Sequence, residues 1–319
     1  MRVLVLGATG FVGSYLMEHH LAQGDAVMGS DYLPTIAESD MVTYRHLLRR
    51  VDIRYTDQIA AVMHECKPEL VYHLSAQSYP ALSWKAPAET LDTNVKGTSN
   101  VFEAMKLVGI KPRTVVACSS AQYGLVPAEA VPIDESYPMR PLHPYGVSKL
   151  ATEALAVQYF ENDKIPAVCA RIFNTTGPRK RGDVCADFTR RLVAAERGIG
   201  PKELRVGNLT TLRALTDVRD LMTALILLAQ KGRAGQAYNI SGAKTYKMST
   251  VLDTVLSHRK VDVNVVQAPE LMRPSDEPVI FGNSAKLVAD TGWEQNVTLE
   301  QTLTDMLAYW RKSEDGALA

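Results

Sequence analysis

The chain has 319 residues, enough for one large α/β domain or two unequal ones around a substantial core. Its 35 Lys and Arg residues balance 35 Asp and Glu, so no basic field is present to hold DNA or RNA, although local charge can still serve a small anion. Cys66, Cys118, Cys169 and Cys185 form no Cys-x-x-Cys pair, which argues against a metal centre or a disulfide framework and predicts free thiols in a reducing, cytoplasmic setting.

The start, "MRVLVLGATG", is too short and too broken by glycine for a signal peptide, and no apolar run approaches the ~20 residues of a membrane span. Instead "RVLVLG" reads as a strand and "GFVGSYLMEHHLAQ" as a helix, with Gly7, Gly10 and Gly13 at the junction. Glycines there let backbone approach a pyrophosphate, and a helix N-terminus offers free N–H groups and partial positive charge. The next strand, "DAVMGSD", ends at Asp31, whose carboxylate suits a ribose diol and repels a 2′-phosphate. Tyr32 and Leu33 follow, with no adjacent Arg or Lys, so NAD(H) is favoured and NADP(H) is the alternative. Asp52 and Ile53, after a third strand-like stretch, are placed to flank an adenine.

Further along, "TDQIAAVMHECK" and "TLDTNVKGTSNVFEAMKLVG" have helical spacing, and "LVYHLSA" and "TVVACSS" have strand length with apolar residues on both faces. "HPYGVSKLATEAL" sets Tyr145 and Lys149 four residues apart on one helical face. A tyrosine ordinarily titrates near ~10, and a neighbouring ammonium is expected to draw it toward the phenolate. "PAVCARIFN" and "QAYNIS" read as two more strands. Alternating buried strands and helices predict an α/β, Rossmann-like, doubly wound parallel sheet.

After Asn174 the rhythm changes. The loop "TTGPRKRGD" carries Arg179, Lys180 and Arg181, a basic run expected to be a solvated surface. A helix ("VCADFTRRLVAAERG"), a strand-like "LRVG", a helix from Asp217 to about Lys231, a loop-rich tail and the amphipathic "LEQTLTDMLAYWRK" follow. Residues 1–173, with return segments near 215–242, are predicted to form the nucleotide-binding body, and 174–319 mainly a smaller C-terminal substrate-binding cap.

Together, "GATGFVG" with Asp31, "HLSAQS", "NVKGT", "SSAQYG", "YGVSK" and "RIFNTTGP" resemble the extended short-chain dehydrogenase/reductases that act on nucleotide sugars. The resemblance spans almost the whole chain. It implies that Ser119 hydrogen-bonds the reacting sugar oxygen, that Tyr145 gives or takes its proton, and that Lys149 supports the tyrosine and the cofactor ribose. It also implies cofactor contacts from Gly7, Gly10, Phe11, Val12, Gly13, Leu74, Ser75, Ala76 and Asn94, and substrate contacts from Gln77 and Ser120. In relatives, paired helices equivalent to "NVKGTSNVFEAMK" and "YGVSKLATEALAVQYF" join two chains, which predicts a homodimer.

Sugar 4,6-dehydratases of this kind carry a glutamate two residues before the tyrosine of the "SSAQYG" loop; here that position is Ala121. Eliminating water needs an additional acid and base, which a methyl group cannot supply. A C4 reductase and a 4-epimerase both remain compatible, since each needs only the serine, tyrosine and lysine. The stretches "LRVGNLTTLRALTDVRD" and "RPSDEPVIFGNSAKL" resemble the cap of GDP-4-keto-6-deoxy-D-mannose reductases, which implies a GDP-linked substrate and reduction to GDP-D-rhamnose. Arg213-Ala214-Leu215 departs from the Arg-Asp-Phe common there. Arg213 and Arg273 are the guanidinium groups expected on the diphosphate, and Asn174 is expected on a sugar or phosphate oxygen. A dehydratase, or a non-catalytic protein that senses NAD, are the more distant alternatives.

Overall fold

The computed structural model describes residues 1–272 and 277–313. In the first half the strands are β1 (Arg2–Leu6), β2 (Ala26–Asp31), β3 (Leu48–Arg50), β4 (Leu70–His73), β5 (Arg113–Ser119) and β6 (Ala167–Ile172). The helices between them are α1 (Phe11–Ala22), α2 (Thr56–Cys66), α3 (Pro80–Lys85), α4 (Pro87–Leu91), α5 (Gly97–Val108) and α6 (Pro144–Asp163). Past residue 173 come β7 (Thr175–Thr176), α7 (Val184–Glu196), β8 (Glu203–Val206), β9 (Leu212–Ala214), β10 (Thr216–Asp217) and α8 (Val218–Lys231). The remainder is β11 (Ala237–Ile240), β12 (Thr245–Lys247), α9 (Met248–Ser257), β13 (Asn264–Gln267), β14 (Val279–Ile280), α10 (Ala285–Thr291) and α11 (Leu299–Lys312).

Seven strands form one sheet in the order β11-β6-β5-β4-β1-β2-β3, and every pairing is parallel. The chain leaves β1 for β2 on one side and later returns to β4 on the other, so the strand order reverses beside β1. Ligands of open α/β sheets bind at such a crevice, outside the strand C-termini. Val3, Leu4, Val5 and Leu6 are all fully buried, because helices cover both faces of the sheet. One face packs against α1, α8 and α10 through Leu16, Met17, Leu221, Leu225 and Leu287. The other packs against α2, α5 and α6 through Ile59, Met63, Phe102, Met105 and Ala156.

A separate apolar cluster joins α7, α9 and α11 to β8 through Phe188, Leu192, Leu252, Leu303 and Trp310. The predicted helix spanning "TLDTNVKGTSNVFEAMKLVG" is interrupted: α4 passes into one π-helical turn, Asp92–Lys96, before α5. Several elements after residue 200 gave no sequence signal. Strands β9, β12 and β14 are two or three residues long, too short for an alternating pattern to declare itself.

Candidate active site

The glycine cradle has the geometry that a pyrophosphate requires. Gly7 has φ +91°, a left-handed conformation, and a side chain on Gly13 would overlap the Gly7 carbonyl oxygen. Gly10 is the N-cap of α1 and contributes no side-chain cap, so the first amides of the helix, from Phe11, Val12 and Gly13, are left for an anion. The backbone of Leu74 and Ser75 closes against Gly7, bringing the 74–76 loop beside the cradle. These residues therefore fit a dinucleotide. Asp31 stands at the end of β2 and accepts a hydrogen bond from the Thr9 hydroxyl at 3.1 Å. Asp52 is buried and paired with Arg54 at 2.6 Å, while the Ile53 side chain packs against Gly97 and its carbonyl accepts from Asn100.

Ser119 is the last residue of β5 and Tyr145 lies in the first turn of α6. Pro144 at the first helical position and His143, whose Nδ1 accepts the Gly146 N–H, start this helix. Gly146 has a packing reason: a Cβ there would lie 2.5 Å from the Ala121 carbonyl oxygen. Its absence lets α6 press onto the 120–122 turn, with the Tyr145 phenol near enough to Ser119 for the serine to pull its pKa down. The Ser119 hydroxyl also accepts the Ala121 N–H at 3.2 Å. One helical turn on, Lys149 Nζ lies 6.0 Å from the Tyr145 ring centre and donates to the Ala117 carbonyl at 2.7 Å.

The electrostatics reverse one expectation. Burial pushes the Tyr145 phenol up to about 12, against the opposing pull of the Ser119 hydrogen bond. The same burial pulls Lys149 down to about 8. Desolvation outweighs the predicted lysine-driven drop, so Tyr145 is held as a neutral phenol with a proton to give. His73, buried behind Lys149, is pushed down to about 3 by burial and by the lysine charge, and bonds Thr98 through Nε2 at 2.9 Å.

Gln122, which the sequence reading passed over, supports this corner. Its Oε1 accepts the Ser119 backbone N–H at 2.9 Å, completing a capping box with the Ser119 hydroxyl. Its Nε2 donates to Glu153 at 2.8 Å, and Glu153 is paired with Arg171 at 2.6 Å, both nearly inaccessible. Arg171 then donates to the Tyr123 hydroxyl at 2.7 Å, and that hydroxyl donates to Asn239 at the same distance. The Ser-x-x-Gln spacing at 119–122 was the available signal for the capping box. Ser120 opens the same turn and is half-buried.

Asn94 sits in the π-helical turn with both polar atoms engaged. Its Oδ1 accepts the Gln77 N–H at 2.7 Å, and its Nδ2 donates to the Gln77 carbonyl and to Ser148. It thus braces the 74–77 loop against α6, with both Nδ2 hydrogens used inside the fold. Gln77 likewise spends its side-chain amide on Tyr79 and Thr90.

Among the groups after residue 173, Asn174 has a buried Nδ2 with no hydrogen-bond partner among the described residues, an amide suited to an incoming acceptor. Arg213 donates to the carbonyls of Leu212 and Glu277, tying β9 to the segment that leads into β14. Arg273 lies outside the described residues. The basic run is not simply solvated. Arg179 is 15% exposed, pairs with Glu18 at 2.7 Å and sits 4.6 Å over the Tyr15 ring, clasping this loop to α1.

A sequence model of the GDP-mannose 4,6-dehydratase family matches residues 4–306. The GDP-6-deoxy-D-mannose reductase of Pseudomonas aeruginosa is 30% identical over 310 residues, 97% of each chain. A GDP-mannose 4,6-dehydratase of Vibrio cholerae is 27% identical, over 96% of this chain and 92% of its own. Among solved structures, RMD from Pseudomonas aeruginosa complexed with NADPH superposes with a TM-score of 0.86 at 28% identity, over 98% of this chain and 99% of that one. The UDP-glucose 4-epimerase of Thermotoga maritima with UDP-glucose gives 0.89 at 25%, with the same coverage. A match over nearly the whole length, together with the glycine cradle and the Ser119–Tyr145–Lys149 corner, places this chain in the GDP-mannose 4,6-dehydratase family of extended short-chain dehydrogenase/reductases.

Proposed function

We propose that the chain reduces the C4 ketone of a nucleotide sugar with NAD(P)H, the preferred substrate being GDP-4-dehydro-6-deoxy-D-mannose and the product GDP-D-rhamnose. One observation carries this reading. Ser119 and Tyr145 meet at the end of β5 with a neutral phenol, while the turn beside them offers Ala121 and a fully engaged Gln122 where elimination would need an acid. The cofactor, when bound, supplies hydride. Ser119 orients the ketone oxygen, and Tyr145 delivers its proton there as charge develops. Lys149, charged below about 8, balances the phenolate left behind. Asn174, with its unpartnered amide, and Arg213 are assigned to the nucleotide sugar.

The similarity to a GDP-6-deoxy-D-mannose reductase supports the choice of base and sugar. The likeness to a UDP-glucose 4-epimerase keeps a second reading in view, since that reaction uses the same serine, tyrosine and lysine. Purified protein incubated with NADPH or NADH and GDP-4-dehydro-6-deoxy-D-mannose should consume one reduced cofactor per GDP-D-rhamnose formed, identified by NMR. Interconversion of 4-hydroxy epimers with no net cofactor consumption would replace this reading with the epimerase.

The chain is further assigned to a homodimer joined through α5 and α6, whose outer surfaces expose Leu107 and Val147. A monomer in light scattering at micromolar concentration would reject that assembly. No helix among the described residues is long and apolar enough to cross a membrane, and the four free thiols suit the reducing cytoplasm.

A further inference from the structure

Beside Asp31 the sheet brings in a cation that neighbouring sequence does not show. The residues after β2 are Tyr32, Leu33 and Pro34, without positive charge. In the parallel register of β2 and β3, however, Arg50 stands directly opposite Asp31. Its guanidinium carbon lies 5.5 Å from the centre of the Tyr32 ring. The ring itself is fixed from its other end: Arg54 donates to the Tyr32 hydroxyl at 2.9 Å and is locked by the Asp52 carboxylate.

Four arginines cluster along this edge, and three are already neutralised. Arg45 pairs with Glu38 at 3.3 Å, Arg49 with Glu65 at 2.5 Å and Arg54 with Asp52 at 2.6 Å. Arg50 alone of the four has no carboxylate partner among the described residues, and it is exposed. A planar guanidinium resting on an aromatic face, with its N–H fork unspent, is suited to a phosphate. Asp31 meanwhile has one oxygen engaged by Thr9, which leaves the carboxylate able to serve a ribose diol.

We infer that Arg50, seated on Tyr32, is the specificity-determining cation for the adenosine 2′-phosphate, so that this chain accepts NADPH through Arg50 and NADH through Asp31. The cation arrives from the neighbouring strand rather than from the loop after β2, which is why reading along the chain favours NAD(H). The inference needs only the dinucleotide cradle and is independent of the ketone reading, because its test contains no sugar.

The full chain is titrated with NADPH and with NADH, following nicotinamide fluorescence, and with 2′,5′-ADP as a competitor. Wild type binds both dinucleotides. Arg50→Gln weakens NADPH and 2′,5′-ADP by about ten-fold or more, the loss of a charge-assisted contact, while NADH stays within about two-fold. Arg49→Gln, which removes a neighbouring but already paired guanidinium, leaves the NADPH-to-NADH ratio unchanged. Raising ionic strength weakens NADPH more than NADH in wild type, and equally in Arg50→Gln. Failure of wild type to bind NADPH, or an equal change in both dinucleotides on Arg50→Gln, overturns the assignment.

Discussion

Around Tyr145, position is enforced by buried charge; around Arg213, by contacts that include the main-chain carbonyls of Leu212 and Glu277. The first corner rests on the chain from Gln122 through Glu153 and Arg171 to Tyr123 and Asn239, which ties α6, β6, β11 and the 120–123 turn into one unit. The second rests on a three-stranded sheet, β12-β9-β14, whose strands run three, three and two residues. The contrast separates two tasks. Proton transfer tolerates little misplacement, so its geometry is anchored where mutation is costly. Under the proposed function, a face that holds substrate can change residue by residue without disturbing the body, and Arg213-Ala214-Leu215 in place of Arg-Asp-Phe would be such a change.

The sharpest way to break this contrast is to remove the phenolic oxygen. Tyr145→Phe keeps the ring and the start of α6 but deletes the proton donor, and kcat is expected to fall by about a thousand-fold. Cofactor affinity, measured by fluorescence titration, stays within about three-fold of wild type. Turnover near the wild-type rate would remove Tyr145 from the chemistry altogether.

Next in size is the anchor itself. Glu153→Ala leaves the Arg171 guanidinium buried without its carboxylate, and equilibrium unfolding is expected to register a loss of about 3–5 kcal/mol. Replacing both members with apolar residues, Glu153→Leu and Arg171→Met, should recover most of that stability while turnover stays low, because the Gln122 amide loses the carboxylate that anchors it beneath Ser119. If the double variant retained full activity, the network would serve folding alone.

Much of the body was legible because its signals are local. Five-to-seven-residue apolar strands, a glycine triplet and a Tyr-x-x-x-Lys turn each declare themselves within a short window, and β1, β2, β5, α1 and α6 lie where those signals put them. What stayed hidden depends on neighbours distant in sequence. Arg50 meets Tyr32 only through strand pairing, and Glu153 meets Gln122 only once α6 packs against the 120–122 turn. The direction of the Tyr145 shift was missed for a related reason: spacing shows that a lysine is near, but not that burial of the phenol outweighs it. The bracing role of Asn94 was equally hidden, because a motif position does not show which hydrogen bonds the fold makes.

Lys149 carries the comparison into pH. Its folded-state value of about 8 lies below the ordinary 10.5, with burial as the cause. Between those values the unfolded chain holds a proton that the folded chain lacks, so this group makes stability rise with pH across that window. Below about 8 the ammonium is present in both states, and the folded protein bears the full cost of burying it. Lys149→Met removes that cost: its thermal midpoint at pH 7 should exceed that of wild type, with turnover greatly reduced. The stability difference between the two proteins should shrink as pH rises from about 8 toward 10.5. A constant difference across that range would place the lysine in a solvated environment instead.

The cap should answer more quietly. Arg213→Gln removes a guanidinium that donates to Leu212 and Glu277 but leaves β9 paired to β12 and β14. Losing one charge-assisted contact to a diphosphate should raise KM for the nucleotide sugar about ten-fold, with kcat changed less than about three-fold. Unfolding stability should move by no more than about 1 kcal/mol, since Arg213 is only half-buried. Such a KM effect is the opposite signature to Tyr145→Phe, and it separates a residue that holds substrate from one that moves a proton. If Arg213→Gln instead lowered kcat and stability together, the cap sheet would be part of the rigid frame around Ser119, and the division between the two regions would fail.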